Sequence, residues 1–157
     1  MDRQERTMPA LNQSQIDSLL HSNTTCRLAC VDYEGAPYVV PCWFTYADGG
    51  FYVVPRARSA WAGYLKNDGR VFLCIDADDG RRVLVKGTAS VVEEPNVGGR
   101  WVAIGQEMAE RYGGASGLKY LEATMQEPRW LFFIEATELL SSSGGWAQKY
   151  KHYDWEV

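Results

Sequence analysis

Five consecutive residues, Pro55-Arg56-Ala57-Arg58-Ser59, combine two guanidinium groups with a residue suited to open a helix. A helix N-terminus presents unpaired backbone N–H groups and the positive end of the helix dipole. Arginine forks match the oxygens of a phosphate. If the chain leaves a strand at Pro55 and enters a helix at Ser59, the segment is a phosphate cradle. Each charge-assisted hydrogen bond there contributes roughly 1.5–3 kcal/mol. The alternative is a pair of solvated arginines on a loop.

A second basic pair is Arg81-Arg82. Neighbours on a strand face opposite ways, so only one can point toward a given site, and Arg82 shares a face with Lys86. Arg82 is either a cation beside an electron-rich ring, where it favours the reduced, anionic form, or part of a solvated sheet exterior. A third group, Trp146, Lys149 and Tyr150, follows Gly144-Gly145. These side chains either close over a planar ligand or pack as a tail on the surface.

Other chemistries find little support. Cys26, Cys30, Cys42 and Cys74 sit in apolar, strand-like runs without a C-x-x-C pair. They read as buried, reduced thiols, with a Cys–His nucleophile as the minor alternative. The only histidines, His21 and His152, are far apart, and no zinc-ligand spacing occurs, so no metal site is expected. There is no G-x-G-x-x-G opening a βαβ unit, no phosphate-binding P-loop and no G-x-S-x-G elbow.

These groups need a scaffold, and 157 residues with 46% hydrophobic and 23% charged side chains suit one ordered globular domain. A net charge of -4 and a pI near 5.2 argue against general nucleic-acid or anionic-membrane binding. The longest strongly apolar stretch without a charge, Ala36 to Ala47, is well short of the ~20 residues of a membrane-spanning helix. MDRQERTMPA lacks the apolar core of a secretory signal, so a cytoplasmic location is expected.

Residues 1–10 read as a flexible tail and 11–157 as one domain. A helix is predicted over about 12–22, with Asn12 and Gln15 as a capping box. Strands follow at 25–33, 36–47 and 51–55, separated by turns at Glu34-Gly35 and Asp48-Gly49-Gly50. The second strand is apolar on both faces: Tyr38, Val40, Cys42 and Phe44 on one, Val39, Pro41 and Trp43 on the other. The second face needs a cover: another subunit, a helix or a flat ligand. Pro41 implies an edge or a bulge. After a short helix from Ser59 to Gly69, with Trp61, Tyr64 and Leu65 buried, strands are predicted at 71–76 and 81–94. In the latter, Val83, Val85, Ala89 and Val91 face inward. A helical region runs from Pro95 to about Met125, interrupted at Gly113-Gly114, with Trp101, Ile104, Met108, Leu118 and Leu121 as apolar positions. A sixth strand covers 129–139, and a mobile aromatic and basic tail begins near 143. The expected architecture is a mainly β, six-stranded antiparallel barrel of Greek-key type with short flanking helices.

Arg27–Pro37 (R-L-A-x-V-D-x-x-G-x-P), Val40–Phe44 (V-P-x-W-F), Phe51–Trp61 (F-Y-V-V-P-R-A-R-S-A-W), Asn67–Asp76 (N-D-x-R-V-x-L-x-I-D) and Val83–Ala89 (V-x-V-x-G-x-A) occur in that order. Together they resemble the pyridoxamine 5′-phosphate oxidase-like superfamily of FMN-binding split β-barrels, over about residues 11–92 and the final strand. The resemblance implies a homodimer with FMN at the subunit interface and an oxidoreductase acting on a small-molecule redox substrate. It also implies that Pro41, Cys42 and Trp43 line the flavin ring. By the same token Pro55 to Trp61 take the phosphate, and Arg82 offers its side chain to the flavin. If the tail closes over the ligand, Trp146 and Lys149 are its residues expected at the cofactor. Flavin-dependent members commonly read Ser-Arg-Lys where this chain has Ser59-Ala60-Trp61, which leaves Arg56 and Arg58 to supply the charge. Other branches bind an 8-hydroxy-5-deazaflavin or haem, so the alternatives are a deazaflavin-dependent reductase on the same fold or a non-enzymatic flavin- or haem-binding protein. The longer C-terminal arginine-bearing pattern of true pyridoxamine 5′-phosphate oxidases is absent, so that substrate is not expected.

Overall fold

Asn12 and Gln15 form the predicted capping box. The Gln15 N–H donates to Asn12 Oδ1 and the Asn12 N–H to Gln15 Oε1, both at 2.9 Å. The helix they open, α1 (Gln13–Leu20), buries Leu19 and Leu20 completely. The computed structural model describes residues 10–144. After α1 come β1 (Cys26–Val31), β2 (Pro37–Cys42), β3 (Thr45–Ala47), β4 (Gly50–Val53), α2 (Ala60–Asn67), β5 (Arg70–Asp76), β6 (Arg82–Asn96), α3 (Trp101–Ala123) and β7 (Arg129–Ser142). The strands form one antiparallel sheet in the order β2-β1-β5-β6-β7-β4-β3.

The sheet has seven strands rather than the expected six, because the run 36–47 is not one strand. Its first half, β2, pairs with β1 at one edge of the sheet, and its second half, β3, pairs with β4 at the other. Phe44, between them, is fully buried, and its carbonyl accepts from the Arg111 guanidinium instead of from a neighbouring strand. Two edge strands joined by two residues bring the edges of the curled sheet together. That is the split-barrel architecture.

Period-2 alternation fixes what lies inside. Cys26, Leu28, Leu73, Ile75, Val83 and Val85 are fully or almost fully buried in the barrel core. Val91, expected inside, is 36% exposed, because register shifts interrupt the β6–β7 ladder from there onward. Pro95 does not open a helix. β6 runs on to Asn96, and α3 begins only at Trp101, whose indole N–H donates 2.9 Å to the Asn96 carbonyl. The expected interruption of α3 falls at Gly114 (φ 53°, ψ -137°). Beyond it Leu121 is buried, but Leu118 faces outward at 38% exposure.

The outer face of the sheet is apolar across several strands. Val39, Ala29 and Phe72 are register neighbours, as are Pro41, Arg27, Cys74, Leu84 and Leu140. Val39, Phe72 and Leu140 are exposed. Among the described residues no helix is long and apolar enough to cross a membrane.

Candidate functional site

The β4–β7 ladder sets Val53 opposite Phe132. Carried three residues further, the same register sets Arg56 opposite Arg129 in an isolated antiparallel bridge. Two backbone bonds fix it: Ala57 N–H to Pro128 O at 2.8 Å, and Trp130 N–H to Pro55 O at 3.0 Å. The segment that leaves β4 thus meets the segment that enters β7, and each brings a guanidinium.

Both arginines line a cavity of about 230 Å³. Its wall includes Cys42 at the end of β2 and Trp43 just after it, Pro55 and Ser59 before α2, and Trp61 in α2. α3 closes the other side with Gly105, Met108, Tyr120 and Leu121.

Arg129 is 4% exposed, the only buried charged side chain among the described residues. Its Nη1 donates to Thr124 O (2.9 Å) and Glu127 O (3.5 Å), and its Nη2 to Thr124 Oγ1 (2.7 Å). The guanidinium carbon lies 4.8 Å from the Trp101 ring centroid, a cation–π contact. All these partners are neutral, and among the described residues no carboxylate lies within ion-pair distance of it. Burial, and then the charge of Arg56, push its pKa below the ordinary arginine value. A buried cation with only neutral partners favours an anion beside it.

Arg56 is more tethered. Its Nη1 pairs with Glu127 Oε2 at 3.0 Å, and its Nη2 donates to the Tyr120 hydroxyl. Arg58 is 72% exposed and reaches the same carboxylate at 3.4 Å. Ser59 is extended (φ -71°, ψ 125°), as an N-cap should be, but makes no capping hydrogen bond. The Ala62 N–H donates to the Ser59 carbonyl at 3.1 Å, and no Ser59 side-chain bond caps the other N–H groups of the first turn of α2.

Trp43 is held flat against Tyr112, with centroids 5.3 Å apart and planes 8° from parallel. Arg111 backs the pair, 4.5 Å from the Tyr112 ring centroid. The Tyr112 hydroxyl donates to Thr24 O at 3.2 Å, and burial pushes its pKa up to about 12.

Of the residues singled out in the sequence, Cys42, Trp43, Pro55, Arg56, Ser59 and Trp61 come together around this cavity. Pro41 does not line it and is exposed on β2. Arg58 lies at the surface. Arg82 opens β6 opposite Asp76 and Ser142 and does not line the cavity. Trp146 and Lys149 lie outside the described residues. Sequence reasoning missed Arg129 and Tyr120. A cation just after Pro128 at the start of a β-run was the one available signal for Arg129; nothing marked Tyr120.

A family model for pyridoxamine 5′-phosphate oxidase matches residues 13–141. No curated protein matches the sequence. Among solved structures, a conserved hypothetical protein from Mycobacterium tuberculosis superposes with a TM-score of 0.70 at 24% identity, covering 99% of this chain and 97% of its own. The haem storage protein HutZ from Vibrio cholerae gives 0.66 at 21% identity, with 84% and 96% covered. An F420 reductase gives 0.60 at 21% identity, with 78% and 94% covered.

Proposed function

The chain belongs to the pyridoxamine 5′-phosphate oxidase family, and on that premise we propose that it is an FMN-binding oxidoreductase working as a homodimer. The observation that carries this reading is the buried Arg129 guanidinium opposite Arg56. Glu127 pairs with Arg56, but among the described residues no carboxylate lies within ion-pair distance of Arg129, which leaves that guanidinium for an anion.

In this reading Arg129, Arg56, Ser59 and the first turn of α2 hold the phosphate. Arg58, nearer the surface, adds to the field that draws an anion in. Glu127 holds Arg56 and Arg58 in place. Trp43, kept rigid by Tyr112, gives the ring a flat wall together with Cys42. Bound FMN supplies two-electron redox chemistry with a small organic substrate. The protein supplies position, charge and exclusion of water.

A cavity of about 230 Å³ is smaller than the roughly 300–1,000 Å³ of complete small-molecule sites. One chain therefore holds one end of the ligand, and a second copy completes the site. The apolar outer face around Val39, Phe72 and Leu140 is the surface such a copy would cover. Arg82, on the same outward face as Lys86, reaches the flavin only across that interface.

The test is the visible spectrum and sedimentation mass of purified protein with FMN added. The expected result is a flavin spectrum that co-sediments with a particle of about twice 17.7 kDa. Failure to retain FMN overturns the reading, and retention of haem or a deazaflavin instead moves the chain to another branch of the fold.

A further inference from the structure

Cys26 and Cys42 are direct register partners across β1 and β2, and their sulfurs lie 3.4 Å apart. Directly opposed strand residues have Cα atoms roughly 4.5–5.5 Å apart, inside the range a disulfide needs. Cys26 is fully buried, whereas Cys42 is half-buried and lines the cavity. Within the pair, Cys42 is the residue that borders the cavity, and Cys26 lies behind it in the core.

The remaining cysteines are poorly placed to compete. Cys30 lies four residues further along β1, roughly 13 Å away at the strand rise. Cys74 is on the opposite face of the sheet, next to inward-facing Leu73 and Ile75, with its sulfur toward Asp76. The hydrogen bond to Cys26 and then burial raise the pKa of the Cys42 thiol. A thiol so held attacks slowly, and the pair stays reduced under mild conditions.

We infer that Cys26 and Cys42 are a redox modification site in the cavity wall, closed by a hydroperoxide into an intrachain disulfide and reopened by small thiols. The Cys42 sulfur, as thiolate, attacks one peroxide oxygen. The O–O bond breaks, leaving a sulfenic acid on Cys42 and, after proton uptake, water. The Cys26 sulfur then attacks the Cys42 sulfur, the S–O bond breaks, and a second water leaves with the Cys26 proton. Two thiols are oxidised by two electrons and one peroxide is reduced by two. Closing draws the two sulfurs about 1.4 Å nearer each other, which reshapes the wall next to Trp43. The inference does not depend on FMN.

The test treats the full-length protein, without added cofactor, with hydrogen peroxide and maps its peptides without reduction. The expected product has lost two hydrogens and links the Cys26 and Cys42 peptides; excess dithiothreitol restores the thiols. The Cys30→Ser/Cys74→Ser double variant should give the same link, and Cys42→Ser should give none. The inference is overturned if wild-type protein forms only sulfinic acids or mixed links, or if an intrachain link persists in Cys42→Ser. Mapping of the wild type decides the matter even if a variant does not fold.

Discussion

Arg129 stands opposite Arg56 across a single antiparallel bridge, and both guanidinium-bearing residues line the same cavity. Two like charges are brought together by backbone register, and the carboxylate nearby, Glu127, pairs with Arg56 rather than with Arg129. If the missing counter-charge is a ligand phosphate, Arg129→Met should weaken FMN by about 10- to 100-fold, the equivalent of one charge-assisted contact. Riboflavin, which lacks the phosphate, should bind the variant and the wild type alike. Fluorescence titration of both ligands checks this, and equal losses would remove the phosphate assignment.

The outer-face patch makes a separate prediction. Phe72→Glu combined with Leu140→Glu places two charges on exposed apolar positions. Burying them against a second copy would be costly, whereas leaving them in water is not. Analytical ultracentrifugation should show a shift from about twice 17.7 kDa to 17.7 kDa with the melting temperature little changed. A wild type that sediments as a monomer at micromolar concentration would contradict the interface.

Tyr112 gives a pH signature at the wall that supports Trp43. Its folded pKa of about 12 lies above the ordinary tyrosine value near 10. The folded state therefore holds the phenol proton more tightly than the unfolded one. The stability this contributes is complete below about pH 10 and is lost as the pH rises toward 12. Urea unfolding at about pH 9 and about pH 11.5 should show a larger drop for wild type than for Tyr112→Phe. Identical drops would show that the phenol is not held in its neutral form.

Much of this was legible in the residues. The inward sets of β1 and the first part of β6 follow from alternation, and the α1 capping box from Asn12 and Gln15. The break inside 36–47 was not legible. Its β-formers run without a turn signal, and the chain switches edges because Phe44 sinks into the core with its carbonyl on Arg111. Half of the phosphate cradle could be read from local spacing at Arg56 and Ser59. Arg129 could not, since its approach is set by the β4–β7 register between segments far apart in the chain.

Gly117 tests the wall supplied by α3. A Cβ there would overlap the Ala109 carbonyl, so the two halves of the helix pack closely only because position 117 lacks a side chain. Gly117→Ala should cost about 1–3 kcal/mol and displace Tyr120 and Leu121 from the cavity. Thermal unfolding together with FMN titration reads both effects, and an unchanged melting temperature would contradict the packing argument.

The central claim is that a buried guanidinium awaits the phosphate of a flavin. Isothermal titration of wild-type protein with FMN and with riboflavin, in low-salt buffer free of phosphate, tests it most directly. The account predicts that FMN binds at least 10-fold more tightly, the share of one charge-assisted contact. It also predicts that millimolar inorganic phosphate erodes this advantage. Equal affinities for the two ligands, unmoved by phosphate, would contradict it.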